Sequence, residues 1–189
     1  MKKHNFSAGP SILPASVTKK ASEAVIDFNG IGLSLIEISH RSKEFIAVME
    51  RAQDLALELT GLKSKGYKAL FLQGGASMQF LMTAYNLLET KAGYINTGSW
   101  SSKAIKEANL FGEVIEVASS KDRNFNFIPK GYEIPSDLNY LHITTNNTIF
   151  GTQFQEIPET NVPLIADMSS DIFSRSIDYS KFDLFYAGA

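Results

Sequence analysis

Residues 68–88 read KALFLQGGASMQFLMTAYNLL, and this stretch decides the fold class. An apolar, strand-like run, KALFLQ, enters the glycine pair Gly74–Gly75, and a helix-like segment, MQFLMTAYNLL, leaves it. Glycines at a strand-to-helix junction let backbone amides approach a ligand. Those amides and the helix dipole favour an anion, typically a phosphate. The spacing is neither the P-loop pattern nor the dinucleotide G-x-G-x-x-G. A plain turn using glycine for positive φ explains an isolated pair equally well.

The same alternation continues outward. Strand-like AGYIN leads to helix-like WSSKAIKEANLF and then to strand-like EVIEVA, with further strands expected at NYLHIT, VPLIADM and FDLFYAG. Short apolar runs alternating with amphipathic helices imply crossover units and a mostly parallel sheet of the α/β class. An open sheet of that kind binds its ligand at the carboxyl ends of the strands. Upstream, a first helix follows Pro14 and stops at NGIG. A second is capped by Ser42, presents Phe45, Val48, Ala52, Leu55 and Leu59 on one face, and ends before Gly61. FDLFYAGA is an apolar run without a polar tail, and a larger fold that continues past it is expected.

Composition narrows the function classes. With 189 residues, 44% of them hydrophobic and 20% charged, the chain has enough apolar side chains for one sizeable core. A formal net charge of -2 and only four arginines, Arg41, Arg51, Arg123 and Arg175, argue against a nucleic-acid surface or a polybasic membrane patch. The absence of Cys excludes disulfides, thiolate catalysis and Cys-ligated zinc, and it fits a reducing compartment, so a cytoplasmic location is expected. The N-terminus MKKHNFSAGPSILP lacks the apolar core of a secretory signal.

Four further stretches place chemistry at the expected strand ends. INTGSW sets Trp100, the sole tryptophan, at a helix start, where its ring can stack on an aromatic group or simply pack in the core. PLIADMSS sets Asp167 at the end of a buried strand, where a carboxylate needs a partner. TTNNTIFGT offers Thr148 as a donor, or is an ordinary polar turn. EISHRSKEF places His40 and Arg41 ahead of the second helix, and Arg41 suits bidentate carboxylate recognition. A phosphate cradle, a stacking ring, a buried acid and a carboxylate-binding Arg together describe the needs of pyridoxal 5'-phosphate acting as an electron sink.

The ordered motifs FSAGPSILP, ISHRSKEF, LFLQGGASMQF, NTGSWSSKAIKEA, NNTIFGT and IADMSSDIFSRSIDYSKFDLFYAGA resemble the amino-terminal part of the phosphoserine aminotransferase family, among the class V, fold type I pyridoxal-phosphate enzymes. The resemblance implies the large domain of fold type I, a mostly parallel sheet flanked by helices and truncated, over 15–189 after an N-terminal arm at 1–14. It implies cofactor contacts from Ala76 and Ser77 to the phosphate, Trp100 to the ring, Thr148 near the phenolic oxygen and Asp167 to the ring nitrogen. Arg41, with His40 beside it, is implied to hold the substrate. Some family members carry Arg where this chain has Ser77. No catalytic residue is expected within the chain, because the family's Schiff-base lysine would follow Ala189. The implied reaction moves an amino group between glutamate and 3-phosphohydroxypyruvate, giving phosphoserine in serine biosynthesis, in a cytoplasmic homodimer. Without that lysine the 189-residue chain is expected to be inactive. The alternatives are another fold type I aminotransferase, of the serine-glyoxylate type, and a non-catalytic fragment.

Overall fold

Strands whose neighbours cover both faces read as continuous apolar runs, and in the computed structural model such runs form one parallel sheet. The structure describes residues 3–7 and 11–188. The opening motif at 6–14 lies partly outside them. Two compact units are present, 1–70 and 71–189.

In the first unit, α1 (Ala15–Ile26) starts directly after Pro14, and α2 (Lys43–Thr60) runs for 18 residues. The ends of α2 are those the sequence announces. Ser42 Oγ accepts from the Phe45 amide, and Gly61 closes the helix at φ 68°, where its amide bonds back to Glu58 and Leu57 carbonyls.

The second unit holds α3 (Gly75–Leu87), β1 (Lys91–Asn96), α4 (Ser99–Ala108), β2 (Glu113–Ser119), β3 (Leu141–Thr144), β4 (Asn146–Asn147), β5 (Thr152–Gln153), β6 (Leu164–Asp167) and β7 (Leu184–Tyr186). Strand order in the sheet is β2-β1-β3-β6-β7 with every pair parallel, while β4 and β5 form a separate antiparallel hairpin. Because β2 and β3 lie on opposite sides of β1, the chain reverses its direction of travel across the sheet between β1 and β3. Such a switch point opens a crevice at the carboxyl ends of the strands.

One face of the sheet packs under α3 and α4, with Phe80, Ala84, Ala104 and Ala108 against Tyr94, Tyr140, Ile165 and Tyr186. This face is apolar in bulk and polar in detail. The Tyr94 and Tyr140 hydroxyls lie 2.8 Å apart, and His142 Nε2 lies 2.8 Å from the Tyr186 hydroxyl. The His142 ring stacks on Tyr94 at 4.8 Å between centroids. Burial alone holds the His142 imidazole neutral, its pKa falling from 6.5 to about 3.

One expected strand is absent. KALFLQ forms no ladder among the described residues, and Leu70, Phe71 and Leu72 are 68%, 57% and 57% exposed. A strand exists only by pairing, and no described strand lies alongside this one. The helix that follows begins at Gly75, as the glycine pair suggests.

Candidate active site at the carboxyl ends of the strands

Residues leaving β1, β3 and β6 and those entering α3 build the site. At the start of α3, Gly74 and Gly75 take φ of 99° and 60°, which turn the chain sharply into the helix. Ala76 and Ser77 therefore sit in the first turn, where amides have no carbonyl four residues back to bond. No side chain caps this helix. Ala76 is half-buried and Ser77 exposed. A Cβ built on Gly188 would lie 3.1 Å from the Ala76 nitrogen, so the last described residue passes close against this helix start.

Asp167 ends β6 and is 3% exposed. Its Oδ1 accepts from the Ser169 amide at 2.9 Å and the Ser169 hydroxyl at 2.6 Å, and the Gly188 amide donates to that hydroxyl oxygen at 3.0 Å. Among the described residues no cation pairs with Asp167. Burial raises its pKa, the two Ser169 hydrogen bonds oppose the rise, and the nearby Asp171 charge adds to it. A buried acid in this state is stabilised as a carboxylate by a cationic group brought to it.

Trp100 enters in the first turn of α4, half-buried, with Lys103 Nζ 4.3 Å from its ring centroid. The turn before it is tightly fitted: a Cβ on Gly98 would lie 2.4 Å from Asn147 Oδ1. Asn147 donates to Thr97 Oγ1 at 2.7 Å, and Thr152 Oγ1 donates to the Thr97 carbonyl at 3.2 Å. The β4–β5 hairpin is thus fastened to the start of α4 at the switch point. Thr148 lies at the exposed tip of that hairpin.

The second unit accordingly links Ala76 to Asp167 through Gly188 and Ser169, and Trp100 to the Thr148 hairpin through Gly98 and Asn147. Arg41 and His40 belong to the first unit, exposed in the turn before α2, with the Arg41 amide bonded to Ser39 Oγ at 3.1 Å. Sequence reasoning missed Ser169, Thr97 and Asn147. Ser169 had a readable signal, since an Asp followed two residues later by Ser is the pattern of a side-chain-to-backbone turn. Thr97 and Asn147 had none, because they meet across 50 residues of chain.

The chemistry of these donors fits pyridoxal 5'-phosphate on two observations. A buried carboxylate without a cation suits a protonated ring nitrogen, and an uncapped helix start with free amides suits a phosphate.

Comparison with known proteins gives a consistent picture. The family model described as aminotransferase class-V matches residues 3–189. A phosphoserine aminotransferase of Flavobacterium johnsoniae is 66% identical over 191 aligned positions, covering 100% of this chain and 54% of that protein. Among solved structures, a phosphoserine aminotransferase from Bacillus circulans subsp. alkalophilus superposes with a TM-score of 0.94 at 47% identity, over 98% of this chain and 52% of its own. One from Trichomonas vaginalis with PLP bound gives a TM-score of 0.90 at 32% identity, over 98% and 53%. The chain spans about half the length of the relatives it matches.

Proposed function

The chain belongs to the class-V aminotransferases, and from that membership we propose that it is part of a phosphoserine aminotransferase that uses pyridoxal 5'-phosphate to move an amino group between glutamate and 3-phosphohydroxypyruvate in serine biosynthesis. The observation that carries this reading is Asp167, a buried carboxylate at a strand end with no cationic partner among the described residues. When bound, the cofactor supplies a conjugated ring able to take up the electron pair released at a substrate carbon.

The chain's own residues prepare that chemistry. Asp167 keeps a proton on the ring nitrogen, since pairing with a cation offsets the desolvation that otherwise raises its pKa. The amides of Ala76 and Ser77 donate to the phosphate, helped by the dipole of α3. Trp100 would offer its ring to the cofactor's pyridine, and Thr148 would offer its hydroxyl as a donor to the phenolic oxygen. Arg41 holds a substrate carboxylate with His40 beside it. No residue of this chain is assigned the role of proton-transferring base. The reading includes a cytoplasmic homodimer, an N-terminal arm at 1–14 and a cofactor-binding large domain over 15–189.

Trp100 gives the test its signal, because it is the sole tryptophan. Pyridoxal 5'-phosphate added to the protein should quench its fluorescence saturably, and Asp167→Ala should weaken that affinity at least about tenfold, the loss expected for one charge-assisted contact. Arg41→Ala should leave cofactor affinity unchanged and weaken binding of O-phospho-L-serine. A wild-type protein that does not respond to the cofactor, or an Asp167→Ala variant that binds it equally well, would overturn the assignment.

A further inference from the structure

The turn that presents Thr148 is closed at its base, and besides its bonds to Thr97 it is held by the segment after Asp167. The Phe154 amide donates to the Thr145 carbonyl at 2.8 Å, which shuts residues 145–154 into a loop with β4 and β5 inside it. Every residue at that base reaches the segment that follows Asp167. Thr145 Oγ1 lies 2.5 Å from Asp171 Oδ1, and Gln153 Nε2 donates to Asp171 Oδ2 at 3.3 Å. Asn146 Nδ2 donates to Ser170 Oγ at 2.8 Å, and that hydroxyl returns a bond to the Asn146 carbonyl at 3.0 Å. Arg175 Nη2 donates to the Phe154 carbonyl at 2.6 Å and lies 3.4 Å from Asp171 Oδ2. The Thr145 amide also donates to the carbonyl of Asp167 itself, at 3.0 Å.

Asp171 is the hub of these contacts. It is 5% exposed, and a hydroxyl, an amide and a guanidinium surround its two oxygens. Its two oxygens take different strands of the hairpin, Oδ1 the side entering β4 and Oδ2 the side leaving β5. Cutting this carboxylate out removes the side-chain bonds of Thr145 and Gln153 to this residue and leaves those of Asn146 and the Phe154 carbonyl.

We propose that Asp171, supported by Arg175, is a positioning residue that fastens the Thr148 hairpin to the segment after Asp167, so that groups serving the ring nitrogen and the phenolic oxygen are held as one piece. The proposal rests on the cofactor reading of Thr148 and Asp167 given above. Its geometric half, the fastening of hairpin to segment, stands independently of that reading. Asp171 is assigned no contact with the cofactor or the reacting atoms, since its side-chain bonds go to Thr145, Gln153 and Arg175. It acts by stiffening the join between two elements that the Asn146–Ser170 pair and the Thr145 amide also tie, and mispositioning of such groups is costly in a site of this kind.

Two measurements on the 189-residue protein separate the halves. Hydrogen–deuterium exchange without ligand tests the fastening. Asp171→Asn keeps the size and loses the charge, and amides of 146–153 and 168–172 should exchange about tenfold faster while those of β1, β3 and β6 keep their rates. Gln153→Leu removes a single arm, should give a smaller acceleration in the same segments, and serves as the test if Asp171→Asn does not fold. Unchanged exchange at the hairpin overturns the proposal, as does acceleration spread evenly over the sheet, which is a loss of global stability. Titration with pyridoxal 5'-phosphate tests the consequence, and the circular dichroism of the bound ligand is read at matched saturation. Asp171→Asn should bind about tenfold more weakly with a reduced ligand signal. A loosened hairpin with wild-type affinity and signal overturns the positioning role. If the wild-type protein itself fails to bind, the cofactor reading falls, while the exchange result still decides the fastening.

Discussion

Neither α1 nor α2 contains a buried residue, although Val17, Val25, Ile26, Ile46, Leu55 and Leu59 give them apolar faces at 40% exposure or more. In residues 71–189, β3 and β6 are buried at every position and β1 at all but Lys91. A helix bonds its own backbone and can display an apolar stripe with nothing laid over it. A parallel strand cannot, since each of its amides depends on a neighbour far along the chain. Residues 1–70 therefore hold secondary structure through local bonds and caps, and residues 71–189 hold it through a core.

Acid gives the largest expected separation between the two. Above pH 6.5 the His142 ring is neutral whether the chain is folded or not. As pH falls below 6.5 the unfolded chain takes up a proton that the folded one refuses down to about 3. Stability of residues 71–189 should then fall by up to about 1.4 kcal/mol per pH unit across that window. Asp167 acts in the opposite sense, because its raised pKa lets the fold bind a proton first, and stability from this group is recovered as pH falls toward 3.8. Urea midpoints followed by Trp100 fluorescence report the sum, and His142→Gln should remove the downward slope beginning at 6.5. Residues 1–70 have no buried titratable side chain among those described, so a helical signal from α1 and α2 that follows the same slope would break the comparison.

Core truncation should come next. Ile143→Ala in β3 empties a fully buried position and is expected to cost about 2–5 kcal/mol, whereas Leu55→Ala in α2, 40% exposed, should cost less than about 1 kcal/mol. Equal losses in urea unfolding would mean that the first unit is buried against something in solution. Gly98→Ala drives a methyl into Asn147 and should cost about 1–3 kcal/mol, with loosening centred on the hairpin seen by hydrogen exchange. Smallest is Ser42→Ala, about 1 kcal/mol, which should fray the start of α2 and leave Trp100 fluorescence unchanged.

The same contrast explains what was legible in the sequence. Both ends of α2 could be read from Ser42 and Gly61, because capping is settled within a few residues. The buried strands at 91–96, 141–144 and 164–167 could be read from apolar runs bounded by polar residues. KALFLQ carried the same pattern without forming a strand, since pattern supplies the surface and not the partner. Trp100, Asp167, Ala76 and Ser77 could be located at element ends for the same local reason. The contacts that orient them could not, because Asp171 meets Thr145 across 26 residues and Asn147 meets Thr97 across 50. No spacing rule spans such distances.

The all-parallel order of the sheet also governs how quickly it forms. No two of its strands are joined by a tight hairpin, and Asn139 must find Thr90 across 49 residues before its side chain can accept the amides that open β1. Each pairing costs loop entropy before contact repays it, so this sheet belongs with slow, high-contact-order folds. A chain emerging from the ribosome amino-terminus first completes α1 and α2 early and keeps the open edge of β3 waiting for β6, and that of β6 for β7. During that interval, chaperone occupancy and translation speed have the most leverage over yield.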